Sequence, residues 1–243
     1  MEKNLLILGA SSDLATALLP RICKEFSVVF AHYHRNAQGL KALESSLTCD
    51  LRLMQADFTS EEETRSLMNE VAASGMPITH ILHCTSVKAT HQRFKKLQWE
   101  DFVRMLDTQL RSLYYAANTF VPDMAKRQYG KVVTIVTSGT CGTPPTYMSA
   151  YITAKYAQLG FIRALAAEYS AKNVQINAVS PSMIETKFLK DMSHLTVEKT
   201  ASEHPLGRNA TVEDVIPAIE FLLSDQSGFI TGQNLLVSGG SVI

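Results

Sequence analysis

Within the stretch SAYITAK, Tyr151 and Lys155 stand four residues apart, which puts both side chains on one face of a helix. An ammonium beside a phenol favours the phenolate and lowers its pKa from about 10 toward the range of a working general acid or base. Ser138 lies 13 residues before the tyrosine, just beyond the apolar run KVVTIV. From there its hydroxyl can reach a substrate oxygen bound by Tyr151; Thr137, next to it, takes that place if the strand register is off by one. The chemistry on offer is proton transfer at an oxygen. A lone YxxxK is equally the pattern of an exposed helical pair, so the elements around it decide.

Those elements alternate. Short β-rich runs at Asn4–Leu8, Ser27–Tyr33, Asp50–Gln55, Ile78–His83, Lys131–Thr137, Val174–Val179 and Asn234–Val237 are separated by amphipathic segments near 13–25, 37–47, 60–74, 98–127, 150–171 and 211–224. This is the signature of βαβ units wound into a parallel sheet. The expected fold is α/β: a single-domain, Rossmann-type, doubly wound sheet of seven parallel strands over residues 1–243, with helices on both faces. Ligands of such sheets bind beyond the carboxyl ends of the strands. There, ILGASSDLA turns from the first strand into a helix through Gly9, Ser11, Ser12 and Asp13. A carboxylate is unexpected where glycine-rich turns cradle phosphate. Asp13 is expected to cap free helix N–H groups, leaving other amides and the two serine hydroxyls to a pyrophosphate; the alternative is that it repels the ligand.

The bulk numbers exclude several functions. Lys plus Arg equals Asp plus Glu at 23 each, so no net field favours nucleic acid or an anionic membrane. The opening apolar run is too short for a signal peptide's core or a membrane span, so a cytoplasmic protein is expected. Cys23, Cys49, Cys84 and Cys141 show no CxxC or Cys/His spacing, which predicts reduced thiols and no metal site.

Motif and spacing together resemble the short-chain dehydrogenase/reductase family, whose reductases carry Ser, Tyr and Lys in this order and at these separations. The resemblance covers nearly the whole chain. NVQINAVSPSMIET is similar to the family's strand and loop over the nicotinamide, with Pro181, Ile184 and Thr186 in place, and HPLGRNATVEDVIPAIEFLLSDQSGFITGQNLLVSGG follows its carboxyl-terminal segment. The closest subgroup in character is that of the 3-oxoacyl-carrier-protein reductases and related carbonyl reductases. The resemblance implies that Tyr151 donates a proton to a carbonyl oxygen as hydride arrives from a reduced nicotinamide. Ser138 orients that oxygen, and Lys155 lowers the Tyr151 pKa and binds the nicotinamide ribose. It also implies cofactor contacts from Gly9, Ser11, Ser12, Asp13 and Leu14 in the first turn, Asp57 and Phe58 after the third strand, and Cys84, Thr85 and Ser86 after the fourth.

At the end of the second strand, VVFAHYHRN lacks the carboxylate that grips the ribose 2′-hydroxyl in NAD-preferring enzymes. His32, Tyr33, His34 and Arg35 tolerate or attract a 2′-phosphate, which predicts NADP(H) over NAD(H). Four departures from the family pattern stand out. The GxxxGxG turn appears as Gly9, Asp13 and Ala15, and the NNAG segment as HCTS, His83 to Ser86. The asparagine that bends a helix and anchors a relay water aligns with Gln109, and Pro-Gly has become Pro181-Ser182. They motivate a rival reading: a cofactor-binding sensor or scaffold of the same fold with little turnover.

Residues 139–149 are expected to form the near wall of the substrate pocket. A lid over roughly 183–205 would cover an apolar chain with Phe188, Leu189, Met192 and Leu195, unless these belong to an amphipathic helix packed on its own core. Lys131 and Lys172 lie where an acidic carrier protein could meet the chain; the substrate is expected to be a small-molecule or carrier-linked carbonyl compound. The helices at 98–127 and 150–171 carry apolar faces that in the family pair across a two-fold axis, so a homo-oligomer, a tetramer above a dimer, is expected.

Overall fold

In a computed structural model, which describes residues 2–87, 91–187, 189 and 192–243, seven parallel strands form one sheet in the order β3-β2-β1-β4-β5-β6-β7. The strands are β1 Asn4–Leu8, β2 Val28–Tyr33, β3 Asp50–Gln55, β4 His80–His83, β5 Gly130–Ile135, β6 Val174–Pro181 and β7 Asn234–Val237. Every described strand pair is parallel, so each crossover is filled by helix and both faces are covered.

The helices are α1 Asp13–Ile22, α2 Gln38–Glu44, α3 Glu61–Ala73, α4 Trp99–Leu106, α5 Ser112–Arg127, α6 Ser149–Tyr169, α7 His194–Glu203 and α8 Val212–Leu223. Alternation along the strands splits the core in two. Leu6 and Leu8 pack with Leu67 and Val71 of α3, Phe120 of α5 and Ile162 of α6 on one face. Leu5 and Ile7 pack with Leu18 of α1 and Ile219 of α8 on the other. Such two-sided burial removes apolar surface from water on both faces of the sheet, and a slip in register would expose it.

Three expectations about elements change. The segment expected as one helix from 98 to 127 is α4 and α5 joined by a π-helical turn, Asp107–Arg111. β5 stops at Ile135, because Thr137 turns out of the sheet to cap a 3₁₀ turn, Ser138–Thr140. Within the expected lid, residues 194–203 form α7, none of whose residues is buried. Leu195 on it is 76% exposed, and Phe188 lies outside the described residues.

Lys131 is not at a docking surface. It is buried at the amino end of β5, donating to Gln175 Oε1 and Ser227 Oγ, and Lys172 likewise precedes β6 at the end of the sheet remote from Tyr151. Among the described residues no helix is long and apolar enough to cross a membrane.

Candidate active site

The strand order reverses direction between β1 and β4, which opens a crevice above their carboxyl ends. Gly9 turns the chain there with φ 83°, and a Cβ on it would lie 2.9 Å from the Cys84 carbonyl carbon and the Thr85 amide. Only glycine lets the turn lie this close to the end of β4. Ser12 closes the first turn of α1, its Oγ accepting from Ala15 N at 3.2 Å. Ser12, not Asp13, is therefore the N-cap, and the capping role expected of Asp13 is corrected. The Asp13 carboxylate reaches away instead, accepting from Lys187 N at 2.7 Å and pairing with Lys187 Nζ at 3.0 Å. The Asp13 and Leu14 amides are left without an intrahelical acceptor at the positive end of α1. The Leu14 side chain is in the core, so only its amide faces the crevice; Ser11 is exposed.

Two hydroxyls in the crevice, Thr85 Oγ1 beyond β4 and Ser182 Oγ beyond β6, are buried without a hydrogen-bond partner among the described residues. Orphaned hydroxyls, open helix amides and a glycine-tight turn are what a phosphate-bearing dinucleotide needs. Ser182 keeps a negative φ, so the missing glycine after Pro181 costs no backbone strain. Thr186 Oγ1 donates to Ile184 O, and Ile184 pairs with Ala210 and packs on the core beside α8.

At the end of β2 the expected ribose-facing set divides. His32 is 3% exposed, and both its ring nitrogens are occupied: Nδ1 accepts from Gly9 N and Nε2 bonds Ala56 O, each at 3.0 Å. Phe58, itself buried, stacks on that ring at 3.9 Å. The His32 side chain cannot reach a ribose, which corrects that expectation; it braces the first turn instead. Burial, with the Ala56 carbonyl opposing it, holds the His32 pKa down to about 4, so the ring is neutral. Tyr33 is half-buried, its hydroxyl donating to Gln55 Oε1 at 3.4 Å. Arg35 is exposed and makes no ion pair among the described residues. Asp57 accepts from the N–H and hydroxyl of Thr59, while His34 Nε2 stands 3.3 Å from its other oxygen. Burial works to raise the Asp57 pKa, but the Thr59 bonds and the neighbouring His34 and Arg35 leave it lowered.

Tyr151 and Lys155 share the inner face of α6, over the carboxyl end of β5. The Tyr151 phenol is buried, with the Thr137 side chain acting to favour its phenolate. Ser138 is half-buried and opens the 3₁₀ turn, and its Oγ bonds no described residue. Lys155 is 2% exposed, donates from Nζ to Ile135 O at 2.9 Å and lies 5.7 Å from the Tyr151 ring centroid. The expected lowering of the Tyr151 pKa is not what this geometry yields. Burial pushes the phenol up to about 12 against the effect of Thr137, and pushes Lys155 down to about 7. Burial also drives the Cys84 thiol up to about 12, so it is an unreactive wall beside Lys155. Gln92, Leu97, Met105 and Tyr147 line a small cleft in front of Tyr151, and Gln92 N donates to Tyr147 O across it.

Residues 15–241 match the model of a family described as enoyl-(acyl carrier protein) reductase. The chain belongs to the short-chain dehydrogenase/reductase family. It is accordingly an oxidoreductase. It is similar, at 27% identity over 99% of this chain and 98% of the relative, to an acetoacetyl-CoA reductase of Allochromatium vinosum. It is 26% identical to a 3-oxoacyl-[acyl-carrier-protein] reductase of Rickettsia felis over 99% and 97% of the two chains. A solved 3-oxoacyl-(acyl-carrier-protein) reductase from Agrobacterium tumefaciens C58 with NADP bound shares the fold, with TM-score 0.88 at 21% identity, covering 98% of this chain and 93% of that one.

Two of the departures, His83 and Gln109, meet in one buried cluster around Gln158. Gln109 falls in the π-helical turn, fully buried, its Nε2 on Met105 Sδ and its Oε1 without a partner. Its main-chain carbonyl accepts from Gln158 Nε2 of α6 at 3.0 Å. His83, where the family pattern has asparagine, bonds Thr134 Oγ1 and Ser112 Oγ and lies 3.3 Å from Gln158 Nε2. Gln109 therefore does not present its amide to the crevice, contrary to expectation. Sequence reasoning passed over Gln158, although its position seven residues after Tyr151 repeats the same helix face.

Proposed function

We propose that the chain is an NADP(H)-dependent reductase that converts a ketone carbonyl to a secondary alcohol, with a carrier-linked 3-oxoacyl thioester as its substrate class. The observation that carries this reading is that Tyr151 and the buried Lys155 share one face of α6 and that Lys155 is tied to Ile135 O at the end of β5, where Thr137 and Ser138 leave the sheet. A bound reduced nicotinamide would supply hydride to the carbonyl carbon. Tyr151 gives its proton to the oxygen as charge develops there, and Ser138 donates a hydrogen bond that fixes the oxygen in place. With its pKa pushed up to about 12, the phenol is protonated at neutral pH, the state a proton donor needs. Lys155, held on Ile135 O, has its Nζ beside the phenol and can turn to ribose hydroxyls.

The dinucleotide is held by the Asp13 and Leu14 amides with Ser11 at the pyrophosphate, by Thr85, Ser86, Pro181 and Thr186 along the crevice, and by Asp57 near the adenine. Tyr33, His34 and the exposed Arg35 favour a 2′-phosphate over a bare hydroxyl. A carrier-linked substrate is supported by the rim next to Tyr151. There Arg93, Lys95 and Lys96 are exposed beside Phe94, which is 75% exposed, and Gln92 and Leu97 of the same segment line the cleft. The names of the Allochromatium and Rickettsia relatives point the same way.

The test is NADPH consumption with 3-oxoacyl thioesters against sugars and simple ketones. Turnover of the thioesters supports the reading. Binding of NADPH without consumption across the panel would replace it with the sensor reading.

A further inference from the structure

The contact between Asp13 and Lys187 has no place in the chemistry above, and its position in the fold gives it one. Asp13 opens α1 just beyond β1, whereas Lys187 follows β6; in the sheet, β4 and β5 stand between these strands. At roughly 4.8 Å per strand the strand ends are about 14 Å apart, so the segment from Ser182 to Lys187 reaches back over the crevice to meet α1. The meeting is two-pronged: the Lys187 N–H donates to Asp13 Oδ2 at 2.7 Å, and its ammonium stands 3.0 Å from Oδ1. The buried, unpartnered Thr85 and Ser182 hydroxyls lie along this span. An exposed ion pair alone contributes little, but the added backbone bond fixes where the carboxylate points.

We infer that Lys187 is a positioning residue for dinucleotide binding, acting through Asp13: it neutralises the carboxylate and draws it aside, so that a pyrophosphate can use the open amides at the start of α1. The inference rests on the cofactor reading given above. Two anionic phosphates arriving at α1 would otherwise meet a third negative charge within one helical turn, repelling them by an amount that falls with salt.

NADPH binding measured by fluorescence titration tests it, on the unaltered chain, Lys187→Met, Asp13→Asn and the double variant, at low and high salt. Expected is a roughly tenfold loss of affinity in Lys187→Met that shrinks at high salt. Asp13→Asn alone changes little, and in the double variant Asp13→Asn restores what Lys187→Met lost. Adenosine, which has no phosphate, is expected to bind all four proteins alike. A double variant as weak as Lys187→Met overturns the inference, because Lys187 would then touch the phosphates itself. Tighter binding in both single variants, or no change in any, also overturns it. Failure of the unaltered chain to bind NADPH would overturn the cofactor reading itself, whereas the other contrary outcomes sink only the role of the pair.

Discussion

Replacing His32 by leucine separates two roles for the end of β2. In the structure the ring accepts from Gly9 N, bonds Ala56 O and stacks on Phe58, entirely inside the protein. Leucine fills similar space but leaves the Gly9 N–H and the Ala56 carbonyl unsatisfied. Each such orphan costs about 1–3 kcal/mol when buried, and the lost ring pair about 0.5–1.5 kcal/mol. The expected total is about 2.5–7.5 kcal/mol, which for a chain of this size lowers the thermal midpoint by on the order of 10 °C. The assay is thermal unfolding of the unliganded protein, paired with dissociation constants for NADPH and NADH. The expected result is a lower midpoint and weaker binding of both cofactors by the same factor, because the loosened Gly9 turn serves both. Arg35→Ala should do the reverse: stability unchanged, NADPH weakened roughly 10- to 100-fold and NADH untouched, as expected for one lost arginine–phosphate contact. If His32→Leu abolished the preference for NADPH while leaving stability alone, the ring would belong at the ribose and the assignment would fail.

Further outcomes follow from the buried groups and the exposed helix faces. Alcohol oxidation needs the Tyr151 phenolate, so its rate should rise about tenfold per pH unit above neutrality while carbonyl reduction stays nearly flat; equal pH profiles in the two directions would contradict a phenol pKa pushed up to about 12. His32, His80 and His83 are held neutral by burial, at about 4, about 3 and about 3 against an ordinary 6.5. Between those values the unfolded chain carries more protons than the folded one, so stability falls as pH drops, by about 4 kcal/mol per pH unit for the three together. Circular dichroism should show acid unfolding near pH 4–5, and a fold intact at pH 3 would refute the neutral histidines. Tyr114 and Tyr156, each 46% exposed on α5 and α6, mark the faces expected to pair between subunits; sedimentation at micromolar concentration should give a tetramer, and a monomer would contradict that.

Much of the fold was legible because its signal is local. β1, β3 and β7 have the bounds that their β-rich runs indicate, and the turn at Gly9 marks the crevice. The π-helical turn at Gln109 was not legible, since apolar spacing continues through it and one extra residue per turn leaves no mark in composition. A helix in the expected lid was legible as one of two readings, but not that it would bury none of its residues, because what a helix packs against is set elsewhere in the chain. His32 looked like a ligand group because it ends a strand. The covering of both sheet faces turns it inward, and that depends on helices elsewhere in the chain. The partner of Asp13 lies 174 residues away, beyond any local pattern. Tyr151 and Lys155 were legible as a pair because helix geometry alone unites them, while their electrostatics were not, because burial is a property of the whole fold.

The most direct test of the proposed chemistry is Tyr151→Phe, assayed for NADPH binding and for single-turnover reduction of a 3-oxoacyl thioester. The substitution removes the phenol's proton and leaves the ring packed on α6. The mechanism predicts NADPH affinity close to that of the unaltered protein and reduction slowed by a factor on the order of 10² to 10⁴, the usual contribution of a positioned general acid. Reduction at an undiminished rate, with the cofactor bound as before, would contradict it.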